Sequence, residues 1–251
     1  MQSIDFFKNV KQSTLKIGDY DISVPMFYQS LTSMSVFLLA SLEKVRSILP
    51  TNRVHPYCVT PWHCIITITA FEYKESDIGP YNQVSIGIPV FLDKPSPIFM
   101  GILRKPPKTP MIYLHTIAVT TEKVKAIGLE MANYPEFLAD IHIENRDQWL
   151  SFKVEKDGKN ILYFSGRKIN LKPYPKESVY PITLRQNEVL RSAFYFNECQ
   201  AGISKKQSDV SLEFGNHPIG NKLKELNVKK VLEYHYWPSQ QAFLTTADKV
   251  I

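Results

Sequence analysis

The chain has 251 residues, 44% of them hydrophobic, and 30 Lys+Arg against 24 Asp+Glu give a net charge of +6. A chain of this size and apolar content can bury a core large enough to fold without disulfides or a structural metal. The mild charge excludes a polyelectrolyte tail, and no apolar run approaches the ~20 residues of a membrane span.

In chain order, the first clear element is a short helix. Leu42, Val45, Ile48 and Leu49 form its apolar stripe, Ser41 is its N-cap, Glu43 suits its N-terminal dipole and Pro50 stops it. From Trp62 to Ala70, Cys64, Ile66, Ile68 and Ala70 share one face of a strand. His63, Ile65, Thr67 and Thr69 share the other, a mixed face suited to lining a cavity. Val84, Ile86, Ile88 and Val90 then alternate with Gln83, Ser85, Gly87 and Pro89, the pattern of a half-buried strand. The proline-rich stretch from Asp93 to Pro110 predicts a long surface excursion. Thr121 to Ala132 reads as a second helix, ending before Tyr134-Pro135. Trp149 to Glu155 and Asn160 to Ser165 flank Lys156-Asp157-Gly158-Lys159, and Asp-Gly tolerates the positive φ of a type I′ hairpin turn. Val210 to Phe214 is a short strand, and Pro218 to Leu226 a third helix with its proline in the first turn.

Strands in hairpin order with few helices predict an α+β fold, mainly antiparallel β, as one domain over residues 1–251. The thirteen tyrosines, fourteen phenylalanines and seventeen prolines agree, because aromatics fit pleated surfaces and prolines punctuate short strands. Periodicity does not separate a closed barrel from a sandwich. The three cysteines, Cys58, Cys64 and Cys199, have no framework spacing, which suits a reducing compartment. With no apolar signal core near Met1, the expectation is a soluble cytoplasmic protein without a membrane partner.

Several side chains invite a functional reading. His55, Cys58, His63 and Cys64 are close in sequence, but adjacent strand residues point to opposite faces and the spacing is not that of zinc, so no metal is expected. His217 before Pro218 is either a base or the residue that orients a turn. Tyr113 and His115 could reach a cavity. The basic clusters at Arg104 to Lys108, at Arg167-Lys168 and at Lys222, Lys224, Lys229 and Lys230 are short and interrupted, so no nucleic-acid partner is expected.

Residues 128–137 read Gly-Leu-Glu-Met-Ala-Asn-Tyr-Pro-Glu-Phe. The run resembles the segment of acetoacetate decarboxylases that carries the catalytic lysine, where Gly-Arg-Glu leads through an aromatic and Pro to Lys-Lys. Gly128, Glu130, Tyr134 and Pro135 match, while Glu136 and Phe137 occupy the lysine positions. Ser76 to Gln83 is similar to the family's Gly-Pro-Tyr-x-Glu turn, with Gln83 in place of the glutamate. Leu39 to Pro50 resembles its strand-to-helix entry. Leu212 to Pro218, with the following helix and Lys-Val-Leu strand, resembles its C-terminal end, so the likeness spans about Ile22 to Ile251.

The resemblance implies a cone-shaped β-barrel with a few peripheral helices, reactive groups inside, no cofactor and a homo-oligomeric assembly. In that family a lysine condenses with the ketone, and the protonated imine accepts the electrons released by decarboxylation. A pocket carboxylate and an arginine complete the set. Carried over, the set becomes Glu136, Phe137 and Gln83. The entry-strand arginine falls near Leu39 and that of Gly-Arg-Glu at Leu129, while Glu130 is kept. The implied pocket is therefore Gln83, Glu136, Phe137, Glu130 and Leu39, and a Gln83–Glu136 pair could share a hydrogen bond. Lys123, Lys125 and Lys153 are alternative amines, but long lysines usually keep the head in water.

Three functions follow from this resemblance. The first is a relative that has lost Schiff-base decarboxylation and binds a small oxygen-bearing, keto-acid-like molecule. The second is a lyase-type enzyme of altered chemistry using Glu136 as acid or base. The third is a structural or interaction protein whose pocket has collapsed around Phe137.

Overall fold

The structure, a computed structural model, describes residues 6–95 and 111–250. The predicted excursion from Asp93 to Pro110 lies largely outside the described residues. A 14-stranded sheet carries the fold, with a four-stranded sheet packed on it and a two-stranded hairpin beside it.

Seven strands of the large sheet close on themselves. In order around the ring they are β3 (Met26–Ser41), β6 (His63–Ser76), β7 (Tyr81–Leu92), β8 (Met111–Val119), β14 (Glu177–Arg185), β16 (Phe194–Phe196) and β19 (Lys230–Leu244), which pairs back with β3. The pairs are antiparallel except β8 with β14. The expected barrel-like α+β architecture is present, and ring closure removes the edges an open sheet would expose.

Alternation along these strands makes two cores. Val36 and Leu38 on β3, Ile66 and Ile68 on β6, Val84 and Ile86 on β7, and Tyr234 on β19 point out of the ring into the larger core. There they meet Phe152 and Phe164 of the second sheet, formed by β10 (Asp140–Asn145), β11 (Trp149–Lys156), β12 (Lys159–Arg167) and β18 (Val210–Phe214). The second core gathers Tyr28, Phe71, Tyr73, Phe194 and Leu244 with the hairpin of β1 (Ser13–Ile17) and β2 (Tyr20–Val24) and a helix, α2 (Glu122–Ala132). β7 is therefore not half-buried as its alternation suggested. Val84, Ile86 and Ile88 enter the outer core, while Ser85 and Gly87 face a covered interior.

The local signals act as their chemistry dictates. Ser41 caps α1 (Leu42–Ile48) by accepting from Lys44 N, and Leu49 and Pro50 follow its end. Asp157 and Gly158 take φ of 52° and 69° between β11 and β12, as a type I′ turn requires. His217 Nδ1 accepts from Ile219 N at 3.2 Å and caps α3 (Pro218–Glu225), so His217 shapes a turn rather than serving as a base. Among the described residues, no helix is long and apolar enough to cross a membrane.

A candidate ligand-binding cavity

The ring encloses a cavity of about 690 Å³, a volume in the range of small-molecule sites. Its lining follows from register. His235 on β19 lies opposite Ser35 on β3, Ser35 opposite Thr69 on β6, Thr69 opposite Ser85 on β7, and Ser85 opposite Ile117 on β8. Ile117 in turn pairs with Glu136, the first residue of β9 (Glu136–Leu138). Cross-strand neighbours share a face, and all six residues line the cavity. The neighbouring row, Trp237, Ser33, Phe71 and Gln83, lines it as well. The mixed face read from Ile65, Thr67 and Thr69 is part of this wall.

Glu136 reaches the cavity because α2 stops abruptly. Thr121 caps the helix at its N-terminus, accepting from Val124 N. Asn133 ends it in the left-handed region at φ 50°, its N–H bonded to Gly128 O and Leu129 O. Asn is one of the few residues that tolerates this conformation. Thr183 Oγ1 donates to Ala132 O, and Asn133 Nδ2 donates to Leu184 O at 2.5 Å, so β14 holds the turn. The chain reverses through Tyr134-Pro135, and the Glu136 side chain folds back onto the helix at Gly128. A Cβ on Gly128 would lie 2.5 Å from Glu136 Oε2. The glycine eight residues earlier thus makes room for the carboxyl, the physical content of the Gly128-to-Glu136 spacing.

The carboxyl sits in poor company for a charge. Its Oε2 is buried without a hydrogen-bond partner, and burial raises its pKa well above the usual carboxylate range. The residue as a whole is half-buried and lines the cavity. Beside it Tyr28, Tyr73 and Tyr81 are buried and their rings cluster at 4.4 to 4.7 Å. Burial raises all three phenols, and an ionised Glu136 would raise them further, as it would Tyr134, whose hydroxyl bonds Ser192 Oγ at 3.0 Å. No cationic side chain among the described residues pairs with it, so burial favours the neutral acid, able to donate one hydrogen bond or to supply a proton.

Of the residues implied by the resemblance, Gln83 and Glu136 line the cavity together. No hydrogen bond joins them, so the pair expected between them does not form and Oε2 stays free. The other three do not line it. Phe137 alternates to the opposite side of β9, packs on the outer core, and carries Lys156 Nζ 5.4 Å from its ring centre. It therefore leaves the cavity open instead of filling it. Glu130 is exposed on α2, where its carbonyl accepts from Arg185. Leu39 shares the inward phase of Ser35 and Phe37 and pairs with Ile65 and Lys230, but does not itself line the cavity.

The alternative amines are elsewhere. Lys125 pairs with Glu122, Lys153 with Glu155, and Lys123 lies over the Tyr20 ring. Among the described residues, Lys205 is the lysine that lines the cavity, and it is paired with Glu233 at 3.7 Å. Tyr113 and His115 do not line it. A register shift between Ile86 and Gly87 leaves His115 without a cross-strand partner, and its ring bonds Thr116. Cys58 and Cys64 are core thiols, and His63 Nδ1 bonds Thr60 Oγ1 at 3.0 Å.

A second polar group escaped the sequence reading. His235 Nε2 lies 2.5 Å from Glu233 Oε1, and Tyr174 OH donates to Glu177 Oε2 at 3.2 Å. These four residues and Trp237 all line the cavity. The signal was Glu-Tyr-His-Tyr-Trp over 233–237, where strand period two puts Glu233, His235 and Trp237 on one face.

A family model described as acetoacetate decarboxylase matches residues 19–247. Comparison with curated protein sequences finds no match. Among solved structures, an acetoacetate decarboxylase from Legionella pneumophila is similar with a TM-score of 0.67 at 13% identity, over 90% of this chain and 87% of that one. MppR, an enduracididine biosynthesis enzyme complexed with pyruvate, gives 0.60 at 12% over 89% of each chain. An acetoacetate decarboxylase-like enzyme from Sphingomonas wittichii RW1 gives 0.58 at 11%, covering 90% and 92%. At these identities the likeness is one of fold.

Proposed function

The chain belongs to the acetoacetate decarboxylase family, and from that premise we propose that it binds a small oxo-acid-like molecule in its cavity without forming an imine at position 136. Glu136 is the recognition group. It stands where the family's resemblance places the amine, and as a neutral acid it donates to a carbonyl or carboxyl oxygen of the ligand. The carrying observation is its buried, unpartnered Oε2 beside an open cavity. A ligand oxygen would relieve an unsatisfied group whose burial costs about 1–3 kcal/mol. Gln83 and the Ser35, Thr69 and Ser85 hydroxyls supply further polar contacts along the wall. MppR complexed with pyruvate supports the oxo-acid class.

The raised pKa of Glu136 favours a second reading, proton transfer at the carbon next to a bound carbonyl. In that reaction the ionised form of Glu136 takes a proton from the carbon next to the carbonyl, leaving the enolate, and the carboxyl so formed returns a proton to that carbon.

The test combines borohydride trapping with calorimetry. Acetoacetate and borohydride are expected to add no mass to the protein. Acetoacetate or pyruvate is expected to bind, with affinity falling about tenfold in Glu136→Ala. An adduct on any lysine would overturn the reading in favour of Schiff-base chemistry. Deuterium exchange into bound pyruvate that disappears in Glu136→Gln would establish the second reading.

A further inference from the structure

The cavity has a second end that the oxo-acid reading leaves unused. His235 and Trp237 are each more than nine-tenths buried, and both line the cavity. His235 Nδ1 and Trp237 Nε1 have no hydrogen-bond partner in the protein. Two orphaned ring nitrogens side by side in one wall form a built polar site, since each costs free energy until something bonds to it.

The chemistry of the occupant follows from what each nitrogen can do. The Trp237 indole only donates. The His235–Glu233 contact holds the Glu233 carboxyl below its usual range, so Glu233 is the acceptor there and, in the neutral imidazole, Nε2 is the nitrogen that carries the proton. That tautomer leaves Nδ1 as an acceptor. The two rings stand 5.0 Å apart between centroids at 62°, so one bound group can touch both. A hydroxyl suits both, accepting from Trp237 Nε1 and donating to His235 Nδ1. An ammonium cannot accept from the indole. A carboxylate would bring a further negative charge beside Glu233 and Glu177, which line the same end.

The two ends are also far apart along the wall. On the closed ring of seven strands at ~4.8 Å each, β19 and β8 stand on opposite sides, about 11 Å across the interior, so a ligand joining the two ends crosses the cavity. A seven-atom oxo acid fills roughly 200 Å³ at about 30 Å³ per water-sized atom, a small part of the 690 Å³ present. The space between is largely apolar, with Phe37, Phe71, Ile117 and Val179 among its lining residues.

We propose that the cavity takes an elongated, mainly apolar ligand held at both ends, an oxo-acid oxygen at Glu136 and a hydroxyl at the His235–Trp237 pair. The proposal rests on the oxo-acid reading and specifies its ligand class.

The experiment is calorimetric titration with two series of straight-chain 2-oxo acids of increasing length, one ending in methyl and one in a terminal hydroxyl. At one chain length the hydroxylated acid is expected to bind roughly tenfold tighter than its methyl counterpart, the worth of two neutral hydrogen bonds. Trp237→Phe and His235→Phe should each erase most of that preference, and Glu136→Ala should weaken both series. If His235→Phe fails to fold, Trp237→Phe carries the test alone. No preference at any length would mean that the pair binds water only and would overturn the proposal, while Glu136-dependent binding of the methyl series kept the oxo-acid reading intact. A preference that survives Trp237→Phe would overturn it equally. If neither series binds, both readings fall.

Discussion

Glu136 is a carboxyl placed where ionisation is costly, and this sets how its stability contribution runs with pH. Its folded-state pKa is raised by burial, whereas an unfolded glutamate titrates near ~4.3. Between those two values the folded chain holds a proton that the unfolded chain has released, so stability falls as pH rises. The contribution is fully present below about 4.3 and is lost as pH climbs to the folded value. Glu136→Gln keeps the shape and removes the titration. Its thermal midpoint should match the wild type near pH 4 and exceed it increasingly toward neutrality, a difference that scanning calorimetry would measure. Gly128 belongs to the same unit. In Gly128→Ala the new methyl occupies the carboxyl's position. Glu136 is the far end of a flexible side chain, so it swings aside and the fold survives. Alanine also favours the helix by about 1 kcal/mol over glycine, so denaturant stability should change by less than that while oxo-acid affinity falls about tenfold. Unchanged affinity would show that the carboxyl's position does not matter for binding.

Helix α2 is the element that aims this carboxyl. It is anchored by the Thr121 cap at one end and by Asn133 against Leu184 at the other. Removing an N-cap hydroxyl costs about 1 kcal/mol. Thr121→Ala should therefore lower stability by that amount in urea titrations and weaken oxo-acid binding two- to fivefold, because fraying moves the platform under Glu136. Equal loss of stability with untouched binding would show that the turn at Asn133 alone positions the site.

The closed ring gives the whole molecule its graded stability. β3, β6 and β7 are covered on both sides, by the outer core and by the cavity wall, whereas β13 (Lys172–Tyr174) and β20 (Asp248–Lys249) end the sheet order. Local opening follows coverage. Amide exchange should be slowest in 34–40, 64–70 and 84–88, and fastest in 172–174 and 248–249. Adding an oxo acid should slow exchange further in 134–138, where Glu136 sits. Protection that rose uniformly over the chain would indicate binding away from the cavity.

Much of this was legible in the residues because the signals are local. The Ser41 cap, the Asp157-Gly158 turn, the helix ending before Tyr134 and the two-faced strand at Cys64 to Ala70 each depend on a few neighbours along the chain. The resemblance around Gly128 to Pro135 likewise placed Glu136 at a cavity, since a motif keeps its own geometry. The composition of the cavity was not local. The resemblance implies Phe137 and Glu130 in the pocket, yet strand alternation turns one outward and helix phase leaves the other in solvent. Glu136 and His235 are ninety-nine positions apart in sequence, and they share one row only because six strands pair in a particular register. Hydrophobic pattern sets which face a residue takes. Which distant residues meet across that face is decided by register and ring closure, and these exist only in the assembled sheet.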